Sequence, residues 1–414
     1  MAQLKETLKR LYGEEALEQQ LKRYENAERA FAETFGVSVE PMIFSASGRT
    51  EIGGNHTDHN RGKVLAAAVG LDVIAYVIPT RENVITVQSE GFPRDDVKLD
   101  VLEPVEAELN SSAALIRGVA AGFVKEGLKI GGFEAYTTSN VLKGSGISSS
   151  AAFEVLIGTI LSHLYNDGNV SAVKIAQIAQ YAENRFFGKP SGLLDQMASS
   201  VGGFITIDFK DTANPVIESI SYDFASSGYS LCVVDTKGNH ADLTPEYAAI
   251  PQEMKAVAEY FGKKELRDID KGQVMENAAD IRAKLGDRAF LRAMHFFDEN
   301  VRVEREAAAL KAGNINEFFK NVNESGNSSY KYLQNICAPK NPSEQGLSVG
   351  LYAAENVLEG RGACRVHGGG FAGTIQAFVP NDKLDTFTDT MDNLFGKGSC
   401  HKLYIRPCGG VKVK

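Results

Sequence analysis

The chain has 414 residues, 43% hydrophobic and 23% charged, a composition that excludes a disordered or fibrous protein. At roughly 150 residues per domain, that length suggests two or three domains. Lys plus Arg number 44 against 53 Asp plus Glu, and the net charge of −9 is the opposite of what a nucleic-acid-binding surface needs.

Residues 1–35 carry Leu4, Leu8 and Leu11, then Leu17, Leu21 and Tyr24, at helical spacing. The segment is charged throughout, so no signal peptide is expected. Residues 42–46 predict a strand leading into a polar loop, Arg49 to Asn60. The most apolar stretch, Val64–Pro79, is interrupted by Asp72 and falls short of the ~20 residues a membrane span needs. Two strands broken at Pro79–Glu82 are expected between Leu71 and Gln88, followed by a helix near 112–126 and a strand near 132–138.

After Lys143–Ser150 comes a helix with Phe153, Ile157, Ile160 and Leu164 on one face. Residues 171–187 predict another, with Ser171 as N-cap and Gly188 and Pro190 as stop signals. A strand near 204–208 and the turn-rich Lys210–Pro215 suggest a boundary. The second half opens on a strand, Ser230–Asp235, and is helical from 246 to about 333. Strand-like Cys364–His367 and Thr374–Val379 flank Gly368–Gly373. Mixed strands and helices without regular βαβ alternation predict α+β architecture in two halves. Five scattered cysteines (Cys232, Cys337, Cys364, Cys400, Cys408), none spaced as C-x-x-C, predict neither a disulfide framework nor a zinc site, and hence a reduced, cytoplasmic setting.

Three polar segments stand out. In Lys143-Gly144-Ser145-Gly146-Ile147-Ser148-Ser149-Ser150 the glycines let backbone N–H groups converge, and the next helix aims its unpaired amides at the same spot. A di- or triphosphate fits that environment. The segment is neither a Walker A loop, lacking the Lys-Ser/Thr pair, nor a dinucleotide fingerprint, lacking the third glycine. Its bland alternative is a serine-capped helix. Gly368–Gly373 matches G-x-G-x-x-G but precedes a strand, so it is a hairpin turn or a second loop closing on a ligand. Three adjacent glycines exceed what a hairpin needs, which favours the ligand. Arg49–Asn60 is dense in groups that could grip a polyhydroxyl ligand; a metal at His56 and His59 lacks a third partner.

Together the three segments resemble, in order and separation, the three motifs of the GHMP small-molecule kinases, and within them the galactokinases. Gly48-Arg49-Thr50-Glu51-Ile52-Gly53-Gly54-Asn55-His56-Thr57-Asp58-His59-Asn60 is similar to the galactokinase signature Gly-Arg-x-Asn-x-x-Gly-Glu-His-x-Asp-Tyr-Asn. Gly144–Ala152 resembles the second motif and Val366–Gly373 the third. The resemblance implies a two-lobed GHMP kinase fold, with an N-terminal lobe (residues 1–215) like ribosomal protein S5 domain 2, a ferredoxin-like C-terminal lobe (216–414), and the active site in the cleft between them. It implies a sugar-1-kinase using ATP and Mg²⁺, with galactose as the leading acceptor and no nucleic-acid or membrane partner. The sequence is silent on oligomeric state.

Carried over residue by residue, the resemblance makes Asp195 the catalytic base and Arg49 its partner at the transferring phosphate. Ser150 and Glu183 become the metal-side groups. Gly144, Ser145, Gly146, Ile147, Ser148, Ser149 and Ser150, with Gly369 and Gly370, face ATP. Asn55, His56, Asp58, Gly192 and Tyr247 face the sugar. The chain departs from the signature at Glu51, where Asn is usual, at Asn55, where Glu is usual, and at His59 in place of Tyr. An amide for a carboxylate at position 55, implied to face the sugar's C6 end, would ease repulsion against a C6 carboxylate, so galacturonate is the alternative acceptor. A catalytically silent sugar sensor on the same fold is disfavoured by the intact Asp195 and Ser148–Ala152, and a mevalonate or homoserine kinase by His56-Thr57-Asp58.

Overall fold

The computed structural model describes residues 2–36, 39–141, 147–189, 191–238 and 243–414. In chain order the strands are β1 (Met42–Gly53), β2 (Lys63–Pro79), β3 (Val84–Ser89), β4 (Arg94–Lys98), β5 (Phe133–Ser139), β6 (Phe204–Asp208), β7 (Val216–Ile220), β8 (Tyr229–Asp235), β9 (Ala363–His367), β10 (Thr374–Pro380), β11 (Cys400–Leu403) and β12 (Val411–Lys412). The helices are α1 (Ala2–Tyr12), α2 (Leu17–Phe35), α3 (Ser112–Lys125), α4 (Ser149–Tyr165), α5 (Ala172–Ala182), α6 (Leu194–Val201), α7 (Thr244–Tyr260), α8 (Lys271–Glu276), α9 (Ala278–Leu285), α10 (Asp287–Lys311), α11 (Ile315–Ser328), α12 (Gly346–Leu358) and α13 (Leu384–Phe395).

A first sheet runs in the order β12-β1-β2-β5-β3-β4, with β6 pairing to β2 and β7 to β6. Both faces of its centre are covered, which is why β2 is apolar on both sides. On one face Leu65, Ala67, Val69 and Ala75 of β2 meet Ile116, Val119 and Phe123 of α3 and Leu156 and Ile160 of α4. On the other, Ile74 and Tyr76 meet Leu8 and Leu11 of α1 and Tyr24 and Phe31 of α2. Asp72, the charge that interrupts the apolar stretch, is fully buried on this second face between Arg23 at 2.6 Å and Arg406 at 2.9 Å. Burial works to raise its pKa, but the two guanidiniums outweigh it and hold the carboxyl below its ordinary value.

The second sheet has the order β11-β8-β10-β9. Read as β8, helices, β9, β10, α13, β11, it has the ferredoxin-like βαββαβ succession, with α12 and α13 packed on one face through Leu347, Leu358, Phe387 and Met391. Helices α7 to α10 build a separate apolar cluster around Ile250, Met254, Val257 and Phe296.

Two expectations need correction. The polar run after residue 46 is not a loop from Arg49 onwards, because β1 continues to Gly53. Its polar side chains are buried where the two sheets meet, and they find partners there. Thr50 Oγ1 lies 3.1 Å from His367 Nε2 of β9 and accepts from Gln376 Nε2 of β10 at 2.5 Å. Gln376 also donates to the Glu51 carbonyl at 3.1 Å, and Arg365 donates to that of Ile52. The boundary expected at residue 215 falls inside the β6–β7 hairpin, and β12 returns to β1. The division 1–215 and 216–414 is therefore not the division of the sheets.

Candidate active site

The joint between the sheets brings the first motif, the start of α4 and the start of α6 together. Gly48 makes this possible. A Cβ there would lie 2.7 Å from Ile147 Cγ2, and the neighbouring Arg49 N–H donates to the Ile147 carbonyl at 3.1 Å. Ile147, expected among the phosphate contacts, has its side chain fully buried and its carbonyl committed to β1. It ties the approach to α4 onto β1. Gly144, Ser145 and Gly146 lie outside the described residues.

Asp195 sits in the first turn of α6, where the helix N-terminus favours an anion. Its Oδ1 accepts from Arg49 Nε at 2.8 Å and lies 2.6 Å from Arg49 Nη2, while its Oδ2 accepts from Ser148 Oγ at 2.7 Å. Ser148 precedes α4 in a left-handed conformation, φ +61°, and its hydroxyl turns to Asp195 instead of capping the helix. The Asp195 side chain keeps 27% of its surface exposed. Desolvation alone would raise its pKa, but the Arg49 charge, the Ser148 hydrogen bond and the Lys189 ammonium hold it below the usual carboxylate value. It is an anion at neutral pH.

Beside it, Ser150 Oγ in the first turn of α4 donates to Glu183 Oε1 at 2.9 Å. Glu183 opens a π-helical turn, Glu183–Phe187, that ends at Gly188 (φ +88°). Gln196 Nε2, one residue after Asp195, donates to Glu183 Oε2 at 2.7 Å and to Glu154 Oε2 at 3.1 Å. Glu154 is wholly buried, and desolvation reinforced by the Glu183 charge raises its pKa well above the ordinary value. Ser149 stands at the same helix end, among N–H groups without a helical acceptor. No cluster of three or more His, Cys, Asp or Glu able to hold a metal exists among the described residues. One carboxylate and one hydroxyl are hard oxygen donors and fit Mg²⁺, which takes few protein ligands and completes its shell with phosphate and water.

On the other side of the cleft the first and third motifs touch. His56 Nε2 lies 2.9 Å from the Gly369 carbonyl, and the Tyr247 hydroxyl donates to that of Gly370 at 2.9 Å with its ring edge-on to Phe371. Burial outweighs the Gly369 hydrogen bond and keeps His56 neutral at pH 7. Asp58 faces Gly192, where a Cβ would stand 1.9 Å from Asp58 Oδ2. Gly192→Ala is accordingly expected to displace Asp58 and raise the KM for the acceptor at least tenfold, with the KM for ATP unchanged; steady-state kinetics on both substrates checks this.

Asn55 does not join this group. It is 1% exposed. Its Nδ2 donates to Glu51 Oε1 at 2.9 Å and the Gly368 carbonyl at 2.8 Å, and its Oδ1 accepts from Asn335 at 2.8 Å and Ser329 at 3.3 Å. No polar group of Asn55 is left to meet a sugar. Two of the three departures from the signature are thus one contact: the amide and the carboxyl have exchanged places and bond each other.

The galactokinase galactose-binding signature matches residues 29–79, and the GHMP kinases N terminal domain matches residues 112–203. The galactokinase of Actinobacillus pleuropneumoniae serotype 3 is 30% identical over 88% of this chain and 92% of its own, and that of Streptomyces coelicolor is 30% identical over 88% and 91%. The chain belongs to the galactokinase family. It is an ATP-dependent kinase that transfers phosphate to a sugar hydroxyl. In fold it is similar to the crystal structure of Lactococcus lactis galactokinase complexed with galactose, with a TM-score of 0.79 and 24% identity over 93% of this chain and 98% of that one. A mevalonate kinase structure superposes less closely, with a TM-score of 0.60 and 14% identity over 87% and 99%.

Within this galactokinase-family site, sequence reasoning missed Lys189, Gln196, Glu154 and Asn335. Lys189 and Gln196 stand inside the segment that carries Asp195, and Glu154 faces inward one turn into α4, so their positions were legible although their partners were not. Asn335 is different. It holds the third motif by donating to the Gly369 carbonyl at 3.1 Å while its own carbonyl accepts from the Phe371 N–H at 2.5 Å. Nothing near it in sequence announces that role.

Proposed function

We propose that the chain phosphorylates galactose at its anomeric hydroxyl, giving galactose 1-phosphate, ADP and a proton. The observation that carries this reading is the Asp195 carboxylate, held between Arg49 and Ser148 beside the N-terminus of α4 and 27% exposed, with Asp58 packed against Gly192 three residues before it. A sugar hydroxyl is a weak nucleophile at neutral pH, and Asp195 takes its proton as it attacks the terminal phosphorus. Arg49 serves both sides. As it turns toward the incoming phosphate, its hold on Asp195 slackens and the carboxylate becomes a stronger base at the moment of transfer.

In this reading the α4 N-terminus, with Ser148 and Ser149, and the Gly369–Gly370 turn enclose the nucleotide phosphates, while Ser150 and Glu183 hold Mg²⁺. The ion supplies neutralisation of charge on the phosphate oxygens. Asp58, His56 and Tyr247 fix the sugar, and Gly192 gives it room. The ground for a C6 carboxylate was eased repulsion at a position 55 facing the sugar, whereas the Asn55 side chain is bonded to Glu51, Gly368, Asn335 and Ser329.

A panel of sugars with ADP release as readout tests the proposal. Galactose is expected to turn over fastest. Faster turnover of galacturonate would overturn the acceptor, and protection of the protein by galactose without ADP release would mark a sensor instead.

A further inference from the structure

Glu183 is crowded for a residue that is to receive a metal. Its Oε1 already accepts from the Ser150 hydroxyl at 2.9 Å and from the Lys189 ammonium at 3.2 Å, and its Oε2 from Gln196 at 2.7 Å. Glu183 is 2% exposed while the Lys189 side chain is 56% exposed, so the lysine reaches inward from the surface to the one carboxylate edge shared with Ser150. Its backbone is fixed. Lys189 N–H donates to the Glu183 carbonyl at 3.2 Å, directly after the left-handed Gly188 that closes the π-turn. A lysine ammonium is a cation at neutral pH by its ordinary value alone. A divalent cation using the same Oε1 would lie against that ammonium, and two like charges in one partly desolvated site repel strongly. Lysine's flexible four-carbon stem, on a side chain 56% exposed, allows it to swing aside.

We propose that Lys189 is an exchangeable cation of the active site: without nucleotide its ammonium occupies the Glu183–Ser150 edge that a divalent ion needs, and when the metal–nucleotide complex arrives it moves onto the nucleotide's phosphate oxygens. The proposal rests on the kinase reading above and adds to it a second mobile positive charge beside Arg49. It also assigns the free enzyme a low affinity for bare metal, so that metal enters with its nucleotide.

The test uses the full chain, Lys189→Met, which keeps the stem and removes the charge, and Lys189→Arg, which keeps the charge. Mn²⁺ binding to nucleotide-free protein is followed by electron paramagnetic resonance, and ADP release is measured with galactose and MgATP. Lys189→Met is expected to bind Mn²⁺ about tenfold more tightly than the parent and to lose ~10- to 100-fold in kcat with the galactose KM unchanged; Lys189→Arg should keep most of the rate. Mn²⁺ affinity unchanged or weaker in Lys189→Met, or an unchanged kcat, overturns the proposal. A parent protein that releases no ADP with any sugar overturns the kinase reading instead, and the Mn²⁺ comparison still decides whether Lys189 guards the metal edge.

Discussion

Asp195→Asn is expected to lower galactose-dependent ADP release by ~10²–10⁴-fold, the range that one positioned base contributes. The amide preserves the shape of the site. Its oxygen still accepts from Arg49, which now holds Oδ1 at 2.8 Å, and only the Ser148 contact changes polarity. Nucleotide binding, followed by displacement of a fluorescent ATP analogue, and the melting temperature should stay close to those of the parent. A variant that keeps a tenth or more of the rate would show that the sugar loses its proton elsewhere. A variant that binds ATP tenfold more weakly would make Asp195 part of the phosphate site.

The second large effect concerns the exchanged pair. Asn55→Glu alone would put a second carboxyl beside Glu51 in a site with 1% exposure and turn an acceptor toward the Gly368 carbonyl. Glu51 already has its pKa pushed up to about 7, chiefly by burial, against the pull of Arg365. An unpaired buried charge costs about 3–5 kcal/mol, so this variant should be severely destabilised. Glu51→Asn alone shortens the side chain out of reach of Asn55 and removes the carboxyl near Arg365, and should cost about 1–3 kcal/mol. The double variant restores an amide–carboxyl pair in the signature's order, with Asn335 and Ser329 ready to donate to the new carboxyl. Denaturant melts of the four proteins should therefore give a favourable coupling of about 0.5–3 kcal/mol. Strict additivity would mean that the two departures from the signature are unrelated.

The sequence made local structure legible where one physical signal decided it. Ser171 caps α5 by accepting from the Lys174 N–H, and Gly188 ends the following turn with φ +88°, both as the capping pattern predicts. The Pro79–Glu82 break separates β2 from β3, and Gly368–Gly373 joins the antiparallel β9 and β10. It failed where the pairing partner decides. Strand β4, Arg-Asp-Asp-Val-Lys, reads as surface loop because only Val97 is buried, and it exists because β3 offers it an edge. Strand β1 extends through Arg49 and Glu51 because β2 pairs with it there, Arg49 with Ala68 and Glu51 with Ala66, while Gln376 and Arg365 bond carbonyls of that extension.

The site divides in the same manner. The resemblance to the galactokinase motifs pointed to Asp195, Arg49, Ser150 and Glu183, which the fold brings within hydrogen-bonding reach as two pairs. Spacing could not tell that Asn55 would be consumed by its neighbours, because that depends on Asn335 and Ser329, which belong to no motif. Nor could it tell that Lys189 would lie on Glu183, because a lysine at a turn is ordinarily a solvated surface group.

The pairing of Phe44 with Lys412 and of Ser45 with Val411 has a consequence for biogenesis. The outer edge of β1 stays bare until the ribosome has translated the whole of the second sheet, since the segment that covers it comes afterwards. An amino-terminal sheet that forms during synthesis therefore does so without its β12 edge. The nascent polypeptide must carry an unzipped β edge through most of its synthesis, and chaperone dependence should track the emergence of residues 405–413 and not that of β7.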